Sequence, residues 1–237
     1  TSNYTIDNTL TYIAEFGKHS VNATALASIF EEYYEQIGLA VEDLPYKSLW
    51  HSLGTGATVT NYGSNLEEYS IASYMGRINY GFDDKYLLTL TGRYDGASQL
   101  AEGNKWAFFP SAAIGWRLSE ESFIQDLGVF NNLKLRVSYG EVGNNASISP
   151  YATQANIFQT YYDFDGTPSL GYTINALSNQ GIVWERSKEI NFGLDFALSG
   201  LPISGTVEYY KRNTEDLILD DKVPNSTGFN NVLGNVG

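Results

Sequence analysis

The sequence predicts an all-β protein, an antiparallel transmembrane β-barrel or an arc of one, with about eight strands. Three observations lead there. Apolar and polar residues alternate with period two in one segment after another. Charged residues make up only 17% of the 237-residue chain and aromatics 14%, with 18 tyrosines and 12 phenylalanines, against about 25% charged residues in ordinary globular chains. The connections between segments are alternately tight and long, the layout of an outer-membrane barrel with short turns at one end and long loops at the other.

The first strand is expected over Asn8–Gly17, with Leu10, Tyr12, Ala14 and Phe16 on one face. After the turn GKHS, Val21–Leu39 reads as a strand because it follows a tight turn from another strand. A helical stripe of Ala23, Leu26, Ala27, Phe30, Tyr33, Tyr34 and Ile37 fits that segment equally well. A hairpin follows, Tyr69–Phe82 and Lys85–Ser98 about an Asp-Asp turn. Its apolar set is Ile78, Tyr80, Phe82, Tyr86, Leu88, Leu90 and Tyr94; its polar set is Arg77, Asn79, Thr89, Thr91, Arg93 and Asp95. Trp106–Leu118, Leu133–Glu141, Glu189–Ser199 and Ile203–Thr214 continue the alternation. Long Gly-, Asn-, Ser- and Thr-rich loops are expected at Gly38–Glu67, Gln99–Lys105, Val142–Ile182 and beyond Leu219. Ser119–Asn132 falls where a short turn is due and has room for a turn of helix.

Such strands suit two architectures. In a soluble sandwich the apolar face packs on a second sheet and the charged face meets water. In a membrane barrel the apolar face meets lipid and the charged face lines the lumen. Sandwich strands average about 5–6 residues, whereas a tilted membrane strand needs about 9–11; several segments here are ten residues or longer, which favours the barrel. Arg77, Arg93, Asp95, Arg117, Lys134, Arg136, Asp195, Glu208 and Arg212 would then face the lumen, and Tyr80, Leu88, Leu90, Ile114, Val137, Phe192 and Leu194 the lipid. Tyr74, Tyr80, Tyr86, Tyr94, Trp106 and Trp116 would form interfacial girdles.

Composition narrows the function. A net charge of -13 disfavours nucleic acid, whose phosphates demand Lys and Arg. Without cysteine there is neither disulfide nor thiolate metal site. The two histidines, His19 in a tight turn and His51 in a loop, have no second ligand at metal spacing, so no metal site is expected. No nucleophile elbow, phosphate loop or dinucleotide fingerprint occurs, and neither an enzyme nor a cofactor is expected. Tyr161–Ser169, YYDFDGTPS, opens like a calcium loop but lacks the later ligands and closing Glu, and reads as an ordinary turn.

Five stretches in fixed order then carry a family likeness: YMGRINYGFDDKYLLTLTGRYDGAS, FFPSAAIGWRLSEE, LKLRVSYGEVGN, WERSKEINFGLDFAL with VEYYKRNTEDLIL, and PNSTGFNNVLGNVG. Over roughly Tyr69–Gly237 the chain resembles the SusC/RagA-like TonB-dependent outer-membrane transporters of Bacteroidetes. The first 68 residues share only the general character of that family. The resemblance implies a plugged barrel of about 22 strands, contact with the TonB complex through the plug, a SusD-like surface lipoprotein as lid, and oligosaccharide or peptide substrates. The outer membrane and its lipids are the implied surroundings. Plug, TonB-box segment and terminal aromatic strand have no counterpart in this sequence. Both ends of the chain are expected on the outer side, so it reads as a piece from the middle of a larger barrel. Tyr151, Phe158, Tyr161, Tyr162, Asp163, Asp165 and Tyr172 are the candidates for substrate or lid contact, since saccharides are held by aromatic faces and carboxylates. The competing role for these rings is to pack their own loop. For the lumenal charges it is to pair with one another or with the plug.

Overall fold

The computed structural model describes residues 1–44, 53–56, 58–174 and 176–236. Strands β1 (Ser2–Phe16), β2 (His19–Glu42), β3 (Thr58–Phe82), β4 (Tyr86–Ala97), β5 (Trp106–Arg117), β6 (Phe130–Asn144), β9 (Glu185–Leu198) and β10 (Ser204–Glu215) form one antiparallel sheet in the order of the chain. Two hairpins stand outside it, β7 (Ile157–Phe164) with β8 (Thr167–Ile174), and β11 (Leu217–Lys222) with β12 (Asn231–Val236). Among the described residues the sheet does not close on itself: β1 and β10 each have a single neighbour.

The tight turns follow from local chemistry. Phe16 pairs with His19 around Gly17, whose φ of 61° suits a residue without Cβ. Phe82 pairs with Tyr86 around Asp83 and Asp84, both at φ 54°, a left-handed conformation that Asp tolerates better than most residues. The two turns are tied together: Asp83 N donates to Lys18 O at 2.7 Å, and Lys18 Nζ meets Asp83 Oδ2 at 2.7 Å. Between β5 and β6, at the same end, comes the single helical turn α1 (Ser122–Gln125), inside the segment with room for a turn of helix.

The segment of ambiguous period is a strand. Along β2 both neighbours supply backbone partners, β1 from Phe16 to Ser2 and β3 from Phe82 onward, and this outweighs the helix propensity of its Ala, Leu and Glu residues. The expected loop over Gly38–Glu67 is largely strand instead. From Tyr34 to Glu42, β2 pairs with β3 alone, so the two form a free arm reaching roughly 30 Å beyond the sheet at about 3.3 Å per residue. The expected loops over Val142–Ile182 and beyond Leu219 likewise contain hairpins. His51 lies outside the described residues, and His19 is the first residue of β2 rather than part of the turn, its Nδ1 2.7 Å from the Tyr80 hydroxyl.

A buried apolar cluster sits at the long-loop end: Ala97, Leu100, Ala107, Phe109, Ile148, Ile182, Trp184 and Ile218, with Ile71, Ala152 and Leu233 against it. Its position follows from a split in the sheet. The β5–β6 ladder stops at Ser111–Gly140, one residue short of Pro110, which has no N–H to offer. Phe109 sits beside the split, edge-on to Trp184 at 5.7 Å and beneath the Arg186 guanidinium at 5.2 Å.

Candidate functional site: a charged wall and an aromatic hairpin

Register places side chains on faces. Arg77 pairs with Thr91, Thr91 with Ser111, Ser111 with Gly140, Gly140 with Glu189 and Glu189 with Arg212. Side chains two residues apart share a face. Arg77, Arg93, Asp95, Arg117, Lys134, Arg136, Asp195, Glu208 and Arg212 therefore all stand on one face of the sheet.

They are wired to one another. Arg136 on β6 donates to Asp195 on β9 through Nε (2.8 Å) and Nη2 (2.9 Å), and to Glu208 on β10 at 2.9 Å; Thr206 adds a hydroxyl to Asp195 at 2.9 Å. Arg93 Nε holds both oxygens of Asp95, which is buried, and its Nη2 reaches Ser73 Oγ at 3.0 Å. Arg212 Nε donates to Glu189 at 2.8 Å and Arg77 Nε to Thr91 at 3.2 Å. Arg117, Lys134 and Asp195 are successive register neighbours, and the Lys134 stem lies over Gly115. Arg93, Arg136 and Arg212 are thus paired with carboxylates, and the face is a hydrophilic wall of mixed sign rather than a patch of one sign. Among the described residues no group of three or more His, Asp or Glu side chains is disposed to hold a metal ion.

The opposite face is apolar. Val21, Tyr80, Leu88, Ile114, Val137, Phe192 and Tyr209 form one continuous row across seven strands, with Leu90 in the row above and Leu194 in the row below. The upper limit of this band slopes. Lys211 is the first charge above it on β10, in register with Ala23 of β2; on β2 the first charge of that face is Glu31, eight residues further along and six strands away. That is about one residue per strand, the offset required when strands about 4.8 Å apart tilt by about 40° to a level boundary. A flat membrane edge across tilted strands has this signature; a sandwich core does not need it.

Rings cluster near both limits of the band. Tyr86 stacks on Trp116 at 6.2 Å at the turn end, and Tyr94 on Trp106 at 4.9 Å nearer the loop end. Glu121, in the link beside α1, accepts from Tyr86 Oη at 2.8 Å, Trp116 Nε1 at 3.1 Å and Lys85 Nζ at 3.4 Å. The Tyr86 hydroxyl foremost, then the Trp116 indole, hold its carboxyl below the ordinary glutamate range. Sequence reasoning missed Glu121, and also the pairs Arg186–Glu141 (3.1 Å) and Lys188–Glu215 (2.6 Å), which stand above the apolar band on its own face. Their ordinary charged residues at strand ends carry no local signal.

The seven loop candidates separate into two groups. Tyr151, at φ 66°, lies at the base of the loop, where its hydroxyl accepts from Glu68 N at 3.3 Å. The other six belong to the β7–β8 hairpin, which turns on Asp165 (φ 53°) and Gly166 (φ 76°), the two-residue Asp-Gly hairpin turn. Tyr161, Asp163 and Tyr172 share one face with Leu170; Phe158 and Tyr162 share the other, with the Tyr162 ring lying over Gly171. Tyr161 and Tyr172 are about two-thirds exposed. No hydrogen bond among the described residues ties this hairpin to the sheet.

A sheet with one charged face of mixed sign, one sloping apolar band and rings at the band's limits is an arc of membrane barrel wall. Residues 1–237 match the family model for the β-barrel of TonB dependent receptor-like proteins, and the chain belongs to that family. It is 36% identical over 244 residues to TonB-dependent receptor P26 of Formosa agariphila, covering 100% of this chain and 24% of that protein. To TonB-dependent receptor SusC of Bacteroides thetaiotaomicron it is 36% identical over 166 residues, 68% of this chain and 16% of that one. The structure of the RagAB peptide transporter superposes with a TM-score of 0.88 at 28% identity, over 99% of this chain and 26% of the transporter chain. The chain thus spans about a quarter of the length of the curated relatives that match it from end to end. The family is one of receptors of the bacterial outer membrane rather than of enzymes.

Proposed function

We propose that this chain is a section of the wall of a TonB-dependent importer that takes up oligosaccharides or peptides together with a SusD-like lid lipoprotein. The rest of the barrel, and a plug that contacts the TonB complex, belong to the same protein outside this segment. The charged face lines the passage and the apolar face meets lipid. The observation that carries the reading is the segregation of nine ionised side chains from a sloping apolar band by one unbroken register, since a single-layer sheet needs a different solvent on each side. The likeness to SusC and to a peptide transporter supports the choice of cargo. The test is uptake of labelled oligosaccharides and peptides by cells carrying the full-length protein, with and without a functional TonB complex. Uptake that persists unchanged without TonB would favour a passive pore or an adhesive barrel.

A further inference from the structure

The long loop is not free where it leaves β6. Its first part, Asn145–Gln154, folds back onto the charged face. Ile148 is 1% exposed and packs in the cluster built on Ile71, Ala97 and Ala107, whose side chains share the face of Arg77, Arg93 and Asp95. One residue of the β4–β5 link, Gln99, is bonded to this segment at three points. Its Nε2 donates to Ile148 O at 2.6 Å, its Oε1 accepts from Asn145 Nδ2 at 2.7 Å, and its carbonyl accepts from Thr153 Oγ1 at 3.4 Å. Gln99 is itself buried. The returning segment before β9 is fastened in the same way. Trp184 Nε1 donates to Lys105 O at 2.9 Å, Asn104 Nδ2 to Gln180 O at 3.1 Å and Val183 N to Asn235 Oδ1 at 2.8 Å, while Asn235 Nδ2 returns to Val183 O. The buried apolar core of this arc therefore fastens loop segments, and the β11–β12 hairpin through Ile218 and Leu233, against the wall at the loop end.

We propose that Asn145–Gln154, positioned by Gln99, is a fixed ceiling that narrows the passage at its loop end, and that Gln99 sets the size of solute that passes. The proposal rests on the reading that the charged face lines the passage. The physical reason is mechanical. A segment with a buried apolar anchor and a buried side-chain clamp opens rarely, because opening it exposes the anchor and strands the clamp's polar groups together. The β7–β8 hairpin, which has no such ties among the described residues, is placed to respond to a partner. Gln99 is a positioning residue: it acts through the backbone of Ile148.

The test uses the full-length protein in outer-membrane vesicles, with Ser111→Cys as reporter. Ser111 is on the charged face, below the ceiling. Labelling from outside is followed with N-ethylmaleimide and with maleimides carrying polyethylene glycol of increasing length. The expected result is rapid labelling by the small reagent and exclusion of the long ones, with Gln99→Ala, which removes the bonds to Ile148 O and from Asn145 Nδ2, raising the long-reagent rate by about tenfold or more. Ile148→Ala, which removes the anchor and leaves Gln99, should act in the same direction, and it carries the test if the Gln99 variant does not assemble. Gln99→Glu keeps the acceptor for Asn145 but loses the donor to Ile148 O, so it should resemble Gln99→Ala. If long and short reagents label the reporter protein alike, or if neither Gln99→Ala nor Ile148→Ala changes the cutoff, there is no ceiling. If the small reagent itself fails to reach the reporter thiol in Ser111→Cys while labelling a Leu90→Cys variant, the charged face does not line the passage, and both readings fall.

Discussion

The guanidinium of Arg136 on β6 grips the carboxylate of Asp195 on β9 through two hydrogen bonds of 2.8 and 2.9 Å, side by side. A fork of this kind needs the planar geometry of arginine, which the ammonium of lysine does not provide. Both side chains are partly exposed, so water screens much of the attraction. Arg136→Lys should therefore destabilise the full-length barrel by about 1 kcal/mol, read as a lower temperature for loss of the folded gel mobility. Arg117→Lys should change that temperature little; an equal effect at both positions would mean the fork contributes nothing beyond charge.

Leu90 and Thr91 are adjacent in β4 but on opposite faces. Arginine at Leu90 puts a charge into the apolar band and should cost about 2–4 kcal/mol if that depth is near the bilayer midplane. Thr91→Arg, on the charged face, should be mild. The check is denaturant unfolding of the full-length protein in phospholipid vesicles. Equal costs at the two sites would overturn the assignment of faces.

Glu121 ties the turn-end ring pair to the α1 link, and its carboxyl is held below the ordinary range by the Tyr86 hydroxyl and the Trp116 indole. A depressed pKa means the folded state favours the ionised form. That stabilisation is complete above the unfolded glutamate value of about 4.3 and fades as pH falls through the lower folded value. Glu121→Gln should remove this part of the acid sensitivity, leaving stability near neutral pH lower and its fall below pH about 4.3 shallower. Parallel stability–pH curves for native and variant protein would show that the contact is not formed.

The β7–β8 hairpin should be separable from the barrel. Replacing Ile157–Ile174 by a short glycine link spares the anchored residues Ile148, Ala152 and Thr153. The variant should assemble with native gel mobility yet lose uptake or lid binding. A deletion starting at Ser149 would instead pull out Ala152 and Thr153 and so confound recognition with packing. Normal uptake and lid binding in the hairpin variant would reduce these rings to a cover.

Much of this was legible because strand alternation is a local property. In Arg77–Ser98 each residue's partner in period two is its near neighbour, so the charged set around Arg93 and the apolar set around Leu90 can be separated without knowing what pairs with what. The Asp83–Asp84 and Asp165–Gly166 turns are local in the same sense, because left-handed φ values select a few residue types. The β2–β3 arm was not legible: Gly38, Asn61, Gly63, Ser64 and Asn65 have the composition of a loop, and only mutual backbone pairing makes them strand. Nor does any pattern around Gln99 or Glu121 announce their contacts, for Ile148 lies 49 residues from the first and Tyr86 35 from the second. The sequence by itself determined which side chains share a face, since that depends on spacing alone. Only the tertiary structure decided that the long loop divides into an anchored first part and a hairpin with no hydrogen bond to the sheet among the described residues. Burial of Ile148 against Ala97 and the cluster around it depends on segments distant in the chain meeting in space, and no local periodicity records such a meeting.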